Sequence, residues 1–328
     1  MENFRTEIHI EDSNNKIEYN DPTLFIGSCF ADNIGGKFTQ CRLPSMINPF
    51  GVMYNPISVA NTLSSIIHKK EYTESDLRFH NDLWLSFEHH GSFSDPNKEQ
   101  CLQKINTSCN NAHIQLKKSK YLFITFGTAW VYQLNETSQI VSNCHKYAAK
   151  LFNRYMLNMD EIVDLYKSAL IELLVFNPEV KIVFTVSPVR HWKDGAHGNM
   201  LSKATLLMAI DKICEMFESC SYFPAYEILM DDLRDYRFYS SDMIHPNSTA
   251  IDYVWSKFEN CFFSTRTLEY KKEMTNLEKA LNHKPFNSKT ESHQKFLKNQ
   301  YEKLKHLINK YPEIDFSKDL AFLSTEII

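Results

Sequence analysis

Thr23-Leu24-Phe25-Ile26-Gly27-Ser28-Cys29-Phe30-Ala31-Asp32-Asn33-Ile34 is the stretch that decides how this chain is read. The short apolar run before Gly27 reads as a buried strand. Helix-compatible residues follow at once, with Gly35-Gly36 expected to weaken or bend the helix. A strand, a sharp turn and a helix are the sequence form of a βα unit. The form returns further along. Tyr121–Phe126 reads as a strand ending at Gly127, and Lys181–Val186 as a strand ending at Ser187-Pro188. One helix is expected from Asn55-Pro56, with Asn as cap and Pro at the first position. Others are expected over 160–176, over 201–217 and from Ile251 to Phe262. A last strand is placed within 222–229. Residues 71–110 are mixed and polar, and 133–158 read as irregular.

Strands that alternate with helices predict an α/β fold, a three-layer α/β/α sandwich on a mostly parallel central sheet. Past about residue 265 Glu and Lys dominate, and Lys284-Pro285-Phe286-Asn287-Ser288 separates two helices. The expected division is a core domain over 1–264 and a C-terminal helical appendage over 265–328. The sequence leaves open whether the appendage packs on the core, forms a lid or mediates a homodimer.

The 328 residues suffice for a substantial core. A hydrophobic fraction of 43% and a charged fraction of 23% are ordinary for a globular chain. The net charge of −4 argues against nucleic acid or an anionic membrane as partner. No apolar run approaches the ~20 residues that span a bilayer. The eight cysteines include no C-x-x-C pair and no zinc spacing, so they read as free thiols in a reducing compartment. The first residues lack a secretory signal, and a cytoplasmic protein is expected. His89-His90 has no third ligand at suitable spacing, so neither metal nor cofactor is expected.

Two motifs carry chemistry. Ser28 stands where a strand ends and a helix begins, which suits a nucleophile whose N–H faces the same space and can hold an oxyanion. Ser is also a favoured helix cap, and spacing alone does not choose. Asp242-Met243-Ile244-His245 can set a carboxylate against one imidazole nitrogen and leave the other for a nucleophile. Together they give the order Ser…Asp…His, with Ser after the first strand and the pair before the last core helix. In open α/β sheets ligands gather at the strands' C-terminal edge. Arg190 and His191 follow a strand end and are candidates for binding an anionic or sugar group. Trp130 and Trp192, also past strand ends, could face a sugar ring or pack in the core. Cys144 beside His145 offers a second, weaker nucleophile pairing, and Cys29 reads as a small hydrophobe turned into the core.

The string Gly27-Ser28-Cys29-Phe30-Ala31 resembles the name motif of the GSCFA domain family, within the SGNH/GDSL hydrolase superfamily. Asn48-Pro49-Phe50-Gly51, Phe126-Gly127-Thr128-Ala129-Trp130, Asn143-Cys144-His145-Lys146, Ser187-Pro188-Val189-Arg190-His191 and Asp235-Tyr236-Arg237-Phe238-Tyr239 extend the resemblance from about residue 22 to about 262. It implies an SGNH/flavodoxin-like sandwich with Ser28 as nucleophile and Asp242 and His245 as its supporting pair. It implies an oxyanion held by the nucleophile's N–H, a glycine N–H and an asparagine side chain. Gly51 is the candidate glycine, or else simply a turn residue. The usual Gly-x-Asn is here Gly127-Thr128-Ala129, so the asparagine is missing; Thr128 or Asn143 could stand in for it, and His145 could line the same pocket. The implied activity is hydrolysis of a small O-acyl ester on a carbohydrate. Its rivals are acyl transfer and a binding protein that has lost the reaction.

Overall fold

The strand β1 (Thr23–Gly27) is buried along its whole length. Leu24 and Ile26 point to one side of the sheet and Phe25 to the other, as the two-residue period of a strand requires. In the computed structural model, which describes residues 5–283, 285–287 and 290–327, β1 lies inside a five-stranded parallel sheet. The elements of its unit, in chain order, are α1 (Cys29–Gln40), β2 (Ser45–Ile47), α2 (Pro56–Ile67), β3 (Arg78–His80), β4 (Leu83–Leu85), α3 (Lys98–Lys118), β5 (Tyr121–Phe126), β6 (Trp130–Leu134), β7 (Ile140–Val141), β8 (Phe152–Met156), α4 (Met159–Phe176), β9 (Lys181–Val186), α5 (Gly195–Met216), β10 (Cys220–Tyr222), α6 (Ala225–Glu227) and α7 (Ser248–Phe262). The sheet order is β10-β9-β5-β1-β2, and every pairing in it is parallel.

Helices cover both faces, which gives the α/β sandwich. Leu24, Ile26, Leu122, Ile124 and Phe184 join one hydrophobic cluster with α2, α3, α4 and α5. On the opposite face Phe25 and Phe123 stack 4.9 Å apart and meet Phe38 of α1 and Phe258 and Phe262 of α7. Part of the aromatic content thus goes into this second layer.

Several local expectations are corrected. α1 runs through Gly35-Gly36 to Gln40, and Gly35 serves close packing, since a Cβ there would lie 2.6 Å from the Ile47 side chain. The stretch 71–110 contains the first half of α3, capped by Asn97. The stretch 133–158 holds most of an antiparallel sheet of order β7-β6-β8. The last strand is β10, at 220–222. Most of 222–229 lies beyond it, where the chain turns through α6 into a wide helical turn over Ile228–Asp232.

A second compact unit comprises Asn15–Asn20 and the chain from Phe263 onward, while the first holds the residues before Asn15 and Asp21–Phe262. The second unit contains α8 (Thr265–Leu281), α9 (Glu291–Lys310) and α10 (Ser317–Glu326). The N-terminal strand of chain belongs to its core. Ile17 bridges Phe263, and Tyr19 stacks on Tyr270 at 4.8 Å with Tyr311 edge-on. Lys284 and Ser288 of the expected break lie outside the described residues. Among the described residues no helix is long and apolar enough to cross a membrane.

Candidate active site

The C-terminal ends of β1, β5 and β9 lie at one edge of the sheet, as the register Gly27↔Thr125 and Phe126↔Val186 shows. A cavity of about 620 Å³ opens there. Its wall includes Cys29 after β1, Val52, Tyr54 and Asn55 ahead of α2, Thr128 after β5, Ser187 to Asp194 after β9 except Pro188, and Ile244 and His245 ahead of α7.

Close backbone approach shapes the first turn. Gly27 has φ +143°, and a Cβ built there would sit 2.2 Å from the Thr125 carbonyl oxygen. Only glycine lets β1 reach this point beside β5. The Gly27 N–H donates to Asn48 Oδ1 at 2.8 Å. Ser28 then caps α1: its Oγ accepts from the Phe30 N–H at 3.3 Å, and its own N–H donates to the Thr125 carbonyl at 3.1 Å. Ser28 is 1% exposed and does not line the cavity among the described residues. Its N–H is therefore not available to an oxyanion, and its hydroxyl makes no hydrogen bond to His245. Cys29, the first residue of α1, lines the cavity instead of turning into the core. Burial pushes its thiol up, as does Asp32, while the Cys29 and Phe30 amides and Lys203 act the other way.

Asp242 and His245 are brought together. Asp242 Oδ1 accepts the Ile244 and His245 N–H groups, each at 2.9 Å, and Oδ2 faces His245 Nδ1 at 2.6 Å. The two amides and then the ring hold the Asp242 carboxyl down to about 2. Met243 takes φ +59° to make this turn. The loop is pinned by the Ser240 N–H on the His245 carbonyl at 2.7 Å and by Asn247 Nδ2 on the Arg237 carbonyl at 2.7 Å. His245 Nε2 has no partner among the described residues, and His245 lines the cavity.

The other candidates divide. Gly51 is a turn glycine: φ is +82°, its N–H donates to the Asn48 carbonyl at 2.7 Å, and it does not line the cavity. The oxyanion role expected of it falls, because the donor is already engaged. Thr128 is on the wall, but its hydroxyl is latched to Ser202 Oγ at 3.1 Å and accepts from the Trp130 N–H at 3.2 Å. Asn143 is on the wall; its Oδ1 accepts from the His145 N–H at 2.8 Å, which leaves Nδ2 as a donor. His145 is not on the wall. Its Nε2 faces the Ser86 and His89 carbonyls at 2.9 and 3.1 Å, so it fastens a loop and forms no dyad with Cys144. Arg190 and His191 both line the cavity. Burial, with Lys203 next, holds the His191 ring down to about 4, so it is neutral at pH 7. Its ring sits edge-on to Tyr54.

Two residues escaped the sequence reading. Lys203 of α5 is 1% exposed and donates to the Gly127 and Ser187 carbonyls at 2.8 and 2.6 Å. It ties together the ends of β5 and β9, and burial brings its ammonium down to about 7. Asn55, legible only as a helix cap, lines the cavity as well. Its Oδ1 accepts from the Ser58 N–H at 2.8 Å, while Nδ2 has no partner among the described residues. Further out, Arg154 covers Trp130 at 4.2 Å and pairs with Asp194. Lys193 bonds the Tyr132 hydroxyl. Trp192 is 47% exposed. Among the described residues no cluster of three or more His, Cys, Asp or Glu could hold a metal. His89 is fully buried against Phe50.

The fold and this edge define an α/β protein with an active-site-like cavity at the carboxyl ends of its strands. The chain belongs to the GSCFA family, which residues 22–258 match. Residues 274–328 match the C-terminal domain of GSCFA domain proteins. No curated protein matches the chain in sequence. Among solved structures it is similar to an acetyl xylan esterase, Est2A, from the rumen bacterium Butyrivibrio proteoclasticus, with a TM-score of 0.37 and 11% identity. That match covers 74% of this chain and 63% of the esterase, so the chain spans less than two thirds of its length.

Proposed function

We propose that this chain is an ester hydrolase on the SGNH/GDSL plan that removes a small acyl group, acetyl foremost, from a carbohydrate hydroxyl. One observation carries the reading: His245, held by Asp242 at 2.6 Å, stands on the wall of a cavity that also receives Cys29, the first residue of α1. His245 acts as general base through Nε2 toward a nucleophile from the turn joining β1 to α1, where the sequence offers Ser28 and Cys29. Asp242 fixes the tautomer and supports the imidazolium. The oxyanion is held by the Cys29 N–H, which donates to no other residue among those described, and by Asn55 Nδ2, which has no partner among them. The Val52 N–H and Asn143 Nδ2 are further donors on the wall. His245 then returns the proton to the leaving alkoxide, and water clears the acyl-enzyme. The exposed face of Trp192 suits a sugar ring. Arg154, Arg190 and Lys193, facing only Asp194 among lining carboxylates, favour a substrate that carries negative charge.

The test is turnover of p-nitrophenyl acetate and release of acetate from acetylated oligosaccharides, beside His245→Ala. Wild type is expected to turn over both, and the variant to lose at least 100-fold. Equal rates in the two proteins, or none in either, would overturn the reading. Product partition that shifts toward a new ester when an alcohol is added would reassign the reaction as acyl transfer.

A further inference from the structure

We propose that Cys29, not Ser28, is the nucleophile of this site, and that the acyl-enzyme is a thioester on its sulfur. The proposal rests on the ester-hydrolase reading and specifies its first covalent step. Four observations carry it. Cys29 lines the same cavity as His245, and Ser28 does not. Each polar heavy atom of Ser28 already carries one hydrogen bond: its N–H donates to the Thr125 carbonyl, its Oγ accepts from the Phe30 N–H, and its carbonyl accepts from the Ala31 N–H at 2.8 Å. It is 1% exposed. The Cys29 N–H lies toward its own sulfur and donates to no other residue among those described, so the amide next to the sulfur can follow the charge onto a substrate oxygen. Finally, the sulfur sits in the first turn of a helix 12 residues long. The positive end of the helix and the buried Lys203 favour negative charge there.

The resting thiol is kept neutral by burial and by Asp32. A neutral thiol requires a base, which gives the Asp242–His245 pair its task. His245 Nε2 takes the Sγ proton as Sγ bonds to the acyl carbon. The carbonyl electrons move to the oxygen and return as the C–O bond to the alcohol breaks. The alkoxide takes the proton from His245. Water then attacks the thioester, giving one proton to His245, and the released thiolate recovers that proton. The sum is ester plus water to carboxylic acid plus alcohol, with no other reactant.

The full-length protein is mixed with p-nitrophenyl acetate, quenched in acid during the burst and digested, and the acetylated residue is located by mass spectrometry. Neutral hydroxylamine distinguishes a thioester, which it cleaves quickly, from an oxygen ester. Wild type and Cys144→Ala, which removes the other cysteine on the wall, are expected to carry a hydroxylamine-labile acetyl on Cys29. Cys29→Ala is expected to lose the burst and at least 100-fold in turnover. Cys29→Ser, which keeps the volume, is expected to carry a hydroxylamine-resistant acetyl at the same position, and Ser28→Ala to retain the label on Cys29. Acetyl on Ser28 in wild type, or a full burst in Cys29→Ala, would overturn the assignment while leaving the hydrolase intact. Absence of turnover and of acetyl in wild type would remove the hydrolase reading and this one with it.

Discussion

Asn55→Asp separates two roles that one side chain combines. Asn55 is 6% exposed and caps α2 through Oδ1, 2.8 Å from the Ser58 N–H. Aspartate presents an oxygen at the same place, and the helix N-terminus favours its charge. The cap survives, and unfolding stability is expected to change by no more than about 1 kcal/mol. What disappears is the Nδ2 donor, replaced by an anionic acceptor facing the cavity. An oxyanion donor is worth about 100- to 1000-fold in kcat, or ~3 kcal/mol, and a carboxylate beside a developing oxyanion adds repulsion. Asn55→Asp should therefore lose at least 100-fold in kcat at a nearly unchanged urea midpoint. Asn55→Ala should lose kcat too, and about 1 kcal/mol of stability with the cap. The assay pairs p-nitrophenyl acetate kinetics with urea titration of each variant. A kcat for Asn55→Asp within threefold of wild type would show that Nδ2 holds no charge in the transition state.

Gly27→Ala attacks the turn itself. Its Cβ would meet the Thr125 carbonyl oxygen at 2.2 Å from a backbone held at φ +143°, so overpacking and strain together should cost about 3–5 kcal/mol. A urea-derived loss below about 1 kcal/mol would contradict the close approach of β1 and β5. Acid should also weaken the fold before most carboxylates titrate. Burial holds His89 down to about 3 and His191 down to about 4, both from 6.5, so between pH 6.5 and 4 the unfolded chain binds more protons than the native one. Stability from each ring is present above pH 6.5 and falls as pH drops, by about 3 kcal/mol at pH 4 at ~1.4 kcal/mol per unit. Asp32 and Glu227, whose carboxyls burial pushes up, act with the opposite sign. The discriminating measurement is therefore the loss of urea stability from pH 7 to 4.5 in wild type against His89→Gln; equal losses would refute the histidine term.

The parts of this protein legible in sequence are those whose cause is local. A strand that ends on glycine, and a carboxylate three residues before a histidine, each need only their neighbours to take shape. α3 escaped because its buried stripe, Cys101, Ile105, Cys109, Ala112 and Leu116, mixes small residues and thiols with a polar remainder. Its helical period is real, yet its apolar contrast is weak. The β6–β8 sheet escaped because four of the five residues of β8 are only partly buried or exposed, so no clean alternation marks it. Lys203 was invisible for a different reason. A lysine in an apolar helix reads as solvent-facing until the sheet supplies two carbonyls for it. The choice between Ser28 and Cys29 is the finest case. Successive helical residues point about 100° apart, so which of two neighbouring side chains meets the cavity depends on how the first turn is seated. That seating is set by Thr125 and Asn48, contacts that cross the fold and leave no trace between residues 27 and 31.

The same long-range logic bears on the asparagine absent after Gly127. Ala129 takes that place, 0% exposed, with its N–H on Ser202 Oγ at 2.8 Å; this segment is built as a latch to α5. Directly beside it, the Tyr54 carbonyl accepts both the Gly127 and Thr128 N–H groups, at 2.7 and 2.9 Å. That double bond of loop to strand end holds the residue after Tyr54 against the very stretch from which the side chain is missing. The residue is Asn55. On the proposed reading, the donor amide missing after Gly127 is matched by a donor amide on the loop hydrogen-bonded to it. The Ser58 N–H fixes Oδ1 at 2.8 Å, and with Oδ1 engaged in the cap the amide offers Nδ2 as its donor. Preorganisation of this kind, rather than the letter found at one position, is what an oxyanion responds to.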